Sequence, residues 1–222
     1  MTNHFSLQMV QKLVSQGEGQ TLEFKRKANF PEKIIKEMVA FANTDGGYLL
    51  VGVDDNGTIP GLKHVEEEKY ILERTLGTHC KPKLRYKIHT LPVSNNRSLL
   101  IFKIYKSARR PHYALDHPDQ KWGKAFIRLG DKSLQASRET VEILKGVRSK
   151  GGQKIYYGEK EEILFKHLEK EGKITLSEFS DIARLPRKQA SRTLVKLVLS
   201  NVLRIVHQER EEYFVFNNHI PQ

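Results

Sequence analysis

Residues 74–115 contain no aspartate or glutamate, yet Arg74, Lys81, Lys83, Arg85, Lys87, Arg97, Lys103, Lys106, Arg109 and Arg110 all fall among them. Cations without neighbouring acids to neutralise them suit the binding of phosphate. If 84–91 is a strand, alternation puts Lys81, Lys83, Arg85, Lys87 and His89 on one face and Leu84, Tyr86 and Ile88 on the other. Same-face cations would then repeat about every 7 Å, comparable with the phosphate spacing of a nucleic-acid backbone. A second basic constellation lies on the pattern at 186–200, where Ala190, Leu194, Leu197 and Val198 form an apolar stripe. That stripe leaves Arg187, Lys188, Ser191, Arg192 and Lys196 outward, where a recognition helix meets base edges and phosphates.

Other chemistries have less support. Cys80 is the sole cysteine, which excludes a disulfide framework and a cysteine-based zinc site. It sits between His79 and Lys81 with no further sign of a nucleophile site. His112 and His117 fall on a strand and its turn with no cysteine nearby. No phosphate loop of the G-x-x-x-x-G-K-S/T type occurs, and the run from Gly130 to Ser133 lacks both loop and spacing, so an ATPase is not expected.

The elements that must position these residues follow from periodicity. Leu7, Val10, Leu13 and Val14 predict a helix over 7–14, and the alternation of Leu22 and Phe24 predicts a half-buried strand over 21–25. Pro31 opens a helix whose apolar face is Ile34, Ile35, Met38, Val39, Phe41 and Ala42, followed by a buried strand at 48–53 and an Asn56-Gly57 turn. A helix at 66–76, strands at 84–91, 99–105, 112–115 and 125–129, and a helix at 138–147 complete the first domain. The small, polar stretch 149–158 reads as a linker. Beyond it, helices at 160–170, 176–183 and 186–200 and strands at 202–207 and 213–216 make a winged helix-turn-helix pattern.

Charge follows the same division. The chain of 222 residues has a formal net charge of +12, of which residues 1–150 contribute +10 and residues 151–222 only +2. A field of that sign attracts polyanions. The hairpin tip at 208–212 is acidic and opposes phosphate. No long apolar leader opens the sequence, and the longest apolar run, 48–53, is too short to span a bilayer, so a cytoplasmic protein without membrane contact is expected.

Three segments together resemble the Schlafen AlbA-like domain family: residues 18–25 (EGQTLEFK), residues 40–57 (AFANTDGGYLLVGVDDNG), and Arg110-Pro-His112-Tyr with Phe126-Ile-Arg128-Leu-Gly130. The resemblance covers about residues 5–148 and implies a nucleic-acid-binding domain of the kind found in prokaryotic regulators. In nuclease-active Schlafens it implies a metal-dependent RNA-cleaving site of two glutamates and one aspartate, corresponding here to Glu18, Glu23 and Asp55. Such carboxylates can hold Mg²⁺ or Mn²⁺, and Lys25, on the face of Glu23, is placed to neutralise phosphate. Those nucleases set two such domains face to face, and this chain carries one, so a homodimer would be needed to rebuild the pair.

The expectation is an α+β protein: a mixed sheet with flanking helices over 1–150, then a winged-helix domain over 151–222. Its expected role is that of a DNA-binding transcriptional regulator, partnered by DNA rather than RNA, forming a homodimer or higher homo-oligomer and requiring no cofactor. The alternative is a divalent-metal-dependent endoribonuclease using Glu18, Glu23 and Asp55 with Mg²⁺ or Mn²⁺.

Overall fold

Ser6 initiates the first helix by accepting a hydrogen bond from the Met9 amide at 3.2 Å, satisfying one of the donors that a helix start leaves unpaired. The computed structural model describes residues 5–147 and 157–217; of the expected linker, 149–156 lie outside the described residues. The chain divides into two compact units, Met1–Ala136 and Ser137–Gln222.

The first unit runs α1 (Leu7–Val14), β1 (Leu22–Lys25), α2 (Pro31–Asn43), β2 (Gly46–Val51), α3 (Val65–His79), β3 (Cys80–Lys81), β4 (Tyr86–Ser94), β5 (Arg97–Tyr105), β6 (Tyr113–Ala114), β7 (Phe126–Leu129) and β8 (Lys132–Gln135). Its main sheet has the order β1-β2-β5-β4. β1 and β2 are parallel, joined by the crossover α2, and the remaining pairs are antiparallel, giving the mixed sheet that the sequence predicts. One face packs beneath α2 and α3 around Ile35, Met38, Leu49, Phe102 and Leu72. The other receives Val10 and Val14 of α1 over Phe24, Leu50, Leu99 and Ile101.

The passage from α2 to β2 depends on two glycines. Gly46 has φ +78°, and a Cβ there would lie 2.8 Å from the Ile104 carbonyl oxygen; a Cβ on Gly47 would lie 2.6 Å from the Phe41 ring. Buried Asn43 secures the same corner. Its Nδ2 donates to the carbonyls of His112 (3.0 Å) and Phe126 (2.9 Å), and its Oδ1 accepts from the His112 amide at 2.7 Å.

The second unit comprises α4 (Arg138–Gly146), α5 (Glu159–Glu171), α6 (Leu176–Ile182), α7 (Arg187–Leu199), β9 (Leu203–His207) and β10 (Glu212–Phe216). The helix expected to close the first domain is α4, which instead packs on α7 in this second unit. Its buried Thr140 donates to Glu212 at 3.0 Å and lies 2.8 Å from His207 Nε2. β9 and β10 form an antiparallel hairpin, and Ile174 bridges to Phe214. Thr175 and Glu178 form the reciprocal cap that opens α6. Ala190, Leu194 and Leu197 of α7 are fully buried, as the stripe predicts. Among the described residues no helix is long and apolar enough to cross a membrane.

Candidate nucleic-acid interface

Glu23 sits on edge strand β1, where a glutamate would ordinarily face water, yet its side chain is only 6% exposed. Arg128 of β7 explains this. The Arg128 side chain is fully buried, and five hydrogen bonds use its guanidinium: Nε to the Gly19 carbonyl (3.0 Å), Nη1 to Glu37 (2.8 Å) and Ser133 (3.2 Å), and Nη2 to Glu23 (2.6 Å) and the Leu22 carbonyl (3.2 Å). That matches the five donors an arginine possesses. The cation also stacks 4.9 Å from the centre of the Phe41 ring. The other Glu23 oxygen is ion-paired with Lys25, and Ser133 donates to Glu37.

Glu18 reaches the same neighbourhood from the turn before β1, accepting from the Phe24 amide at 2.7 Å. Burial pushes its carboxyl above the ordinary glutamate range and the Phe24 amide pulls it back. Glu23 pushes it up, Lys25 lowers it, and Asp55 pushes it up again. Burial also pushes Glu37 up, against the Ser133 hydrogen bond. Asp55 itself is exposed and lines an open cleft with Gly17, Phe24 and Asn56. Asp54 and Asn56 serve the turn: the Thr58 amide donates to Asn56 Oδ1 at 2.9 Å, the Thr58 hydroxyl lies 3.1 Å from Asp54 Oδ2, and Asp54 pairs with Arg26 at 3.3 Å.

The three acids expected to hold a metal therefore share one electrostatic field without forming a metal cage. Among the described residues no three His, Cys, Asp or Glu side chains are arranged to hold a metal ion. The physical reason is that Glu23 already has two cationic partners inside the protein, while Asp55 faces the cleft.

A pH-dependent outcome follows for Glu18. A carboxyl whose folded-state pKa lies above its unfolded value costs the fold stability once ionised; the cost sets in as pH rises from the unfolded pKa through the folded one and is absent below both. Glu18→Gln keeps an acceptor for the Phe24 amide. It should match the parent near pH 4 and be more stable at pH 7, by less than about 1 kcal/mol because the residue is accessible to water. Urea unfolding at the two pH values measures this, and a loss at pH 7 would contradict it.

The cations are distributed differently from the single row that alternation predicts. Lys81 belongs to β3 and pairs with Tyr113 of β6, Lys83 lies in the connection, and Arg85 precedes β4, leaving Lys87 and His89 on that strand. Pro82 supplies the reason, because it has no amide hydrogen to continue a ladder. Lys81, Lys83, Arg85 and Lys87 nonetheless all remain exposed. Arg109 is exposed, whereas half-buried Arg110 donates to the Asn43 carbonyl at 3.3 Å, and half-buried Lys25 is committed to Glu23. On α7 the side chains of Arg187, Lys188 and Arg192 are exposed; Ser191 donates to Glu139 of α4 at 2.5 Å, so its hydroxyl is engaged within the protein.

The model of the family described as "Schlafen, AlbA_2" matches residues 18–137, more than half of the chain. The chain belongs to the Schlafen AlbA_2 family. The matched segment ends where the first compact unit ends, so the AlbA_2 unit is the one that carries Arg128 and the exposed lysines. No curated protein matches the chain. Among solved structures, the DIP2311 protein from Corynebacterium diphtheriae is 16% identical with a TM-score of 0.47, over 89% of this chain and 34% of that one. The N-terminal domain of a Nitrosomonas europaea protein, named as related to the ATP-dependent DNA helicase RecG, is 22% identical with a TM-score of 0.43, over 60% of this chain and 95% of that one. The chain thus spans about a third of the length of DIP2311.

Within the AlbA_2 unit, sequence reasoning missed the roles of Arg128 and Glu37. One signal was available: an arginine inside the apolar run from Ala125 to Leu129 has to find buried partners.

Proposed function

We propose that this AlbA_2 protein binds nucleic acid and acts as a DNA-binding transcriptional regulator. The observation that carries the reading is the exposure of Lys81, Lys83, Arg85 and Lys87 in a segment without acidic residues, which suits phosphate more than any internal partner. In this reading the second unit is a winged helix with α7 as its recognition helix, a role supported by its outward Arg187, Lys188 and Arg192 above a buried Ala190, Leu194 and Leu197. The AlbA_2 unit supplies salt-dependent affinity and α7 supplies sequence preference. The protein works in the cytoplasm as a homodimer on a paired site. The acidic tip at Glu209 and Glu211 keeps the hairpin off the phosphates.

The endoribonuclease reading would draw on Glu18, Glu23 and Asp55. Compensation of Glu23 by Arg128 and Lys25 favours a structural role for that acid, so no cofactor enters the proposed function. The test is binding-site selection from random duplexes, with the parent and with Arg187, Lys188 and Arg192 all changed to alanine. Base contacts specify and phosphate contacts position, so the variant should lose its sequence motif while retaining most non-specific affinity. Recovery of the same motif by both proteins would make the second unit a docking module.

A further inference from the structure

The sheet face opposite α2 and α3 is only partly covered. Val10 and Val14 of α1 lie over Phe24, Leu50, Leu99 and Ile101, and register fixes what lies beside that cover. Tyr48 of β2 is opposite Lys103 of β5, which is opposite Lys87 of β4. One step along, Gly46 is opposite Tyr105, whose amide donates to the Arg85 carbonyl at 3.1 Å. The patch therefore carries the Tyr48 and Tyr105 rings on adjacent central strands, with Phe5 edge-on to Tyr48 at 5.6 Å, and three cations around them.

The cations engage the rings directly. Lys103 Nζ lies 5.6 Å from the centre of the Tyr48 ring and 5.5 Å from that of Tyr105, and the Arg85 guanidinium lies 4.9 Å from the Tyr105 ring. Arg85 and Lys87 are exposed, and Tyr48, Lys103 and Tyr105 are half-exposed. None of the four strands presents an acidic residue on this face. Among the described residues Arg85, Lys87 and Lys103 have no carboxylate partner, which leaves their charge available to an anion. Gly46 adds no side chain beside Tyr105 that would screen its ring.

We propose that this face binds single-stranded DNA, with bases stacking on Tyr48 and Tyr105 and phosphates held by Arg85, Lys87 and Lys103. A duplex hides the faces of its bases, so the rings would add nothing to duplex binding and cations alone would suffice. An unpaired strand exposes those faces, and rings on central strands with cations beside them form a stacking platform for it. The proposal rests on the nucleic-acid reading above and narrows it to a strand type and a surface.

Fluorescence anisotropy with labelled oligo-dT, oligo-rU of equal length and a duplex tests it, using the full chain and Tyr48→Leu, Tyr105→Leu and Lys103→Gln. Leucine keeps apolar bulk against the α1-covered core, and melting followed by circular dichroism verifies that each variant folds. Each tyrosine variant should weaken oligo-dT binding about 5- to 100-fold. It should leave the salt dependence and duplex binding unchanged, and Tyr48→Phe and Tyr105→Phe should restore affinity. Lys103→Gln should reduce the magnitude of the log K against log salt slope by about 0.7. Oligo-dT binding that both folded leucine variants retain in full would overturn the proposal, as would a preference for oligo-rU. Duplex binding without oligo-dT binding would overturn it while leaving the proposed function standing, and binding of neither would remove both.

Discussion

Replacing Arg128 by methionine should destabilise the AlbA_2 unit by about 3–5 kcal/mol, the usual consequence of removing one member of a buried ionic network. Methionine preserves much of the volume against Phe41 but leaves Glu23 and Glu37 without their shared cation and the carbonyls of Gly19 and Leu22 without a donor. The deficit should depend on pH with a definite sign. Glu37, already pushed up by burial, loses the cation that lowers it, while Glu23 keeps only Lys25, so the cost is full at pH 7 and shrinks as the pH falls toward about 4. Adding Glu23→Gln to Arg128→Met should recover part of the loss, because a neutral amide needs no counter-ion. Arg128→Lys should recover little, because an ammonium cannot reproduce five donors in a fixed fork. Urea unfolding at two pH values reads all of these, and a methionine variant as stable as the parent would show that the network is not what holds β1 to β7.

The second large effect concerns binding. Changing Lys83, Arg85 and Lys87 together to glutamate should weaken duplex binding roughly 100- to 1000-fold near 0.1 M salt and reduce the magnitude of the salt slope by about 2.7, on the basis of about 0.9 per phosphate contact. These side chains are exposed, so the variant should fold as the parent does. An unchanged isotherm across a salt series would remove this segment from the interface.

Periodicity made much of the AlbA_2 unit legible. Alternation around Leu22 and Phe24 located β1, the wide apolar face from Ile34 to Ala42 located α2, and the run through Leu49 to Val51 located β2. Shorter features were not legible. β3 has two residues, and β8 is a four-residue, mostly polar strand that returns from the turn at Gly130 to pair with β7, whereas β6 lies within the strand expected at 112–115. The family resemblance singled out Glu18, Glu23 and Asp55 but not what surrounds them. Arg128 is 105 residues from Glu23 and 91 from Glu37 in sequence, and nothing local to any of the three specifies that they meet. The meeting of Tyr48, Lys103 and Tyr105 likewise depends on the register of β2 against β5, which a single sequence does not encode in any short window.

The direct measurement is anisotropy of a labelled duplex titrated with the unmodified chain from about 50 to about 200 mM salt. A surface of exposed lysines and arginines without acids should give saturable binding whose log K falls linearly with log salt at a slope steeper than about −3, equivalent to at least four phosphates neutralised. No saturable binding at the lowest salt, or a slope near zero, would contradict nucleic-acid binding as the function of this protein.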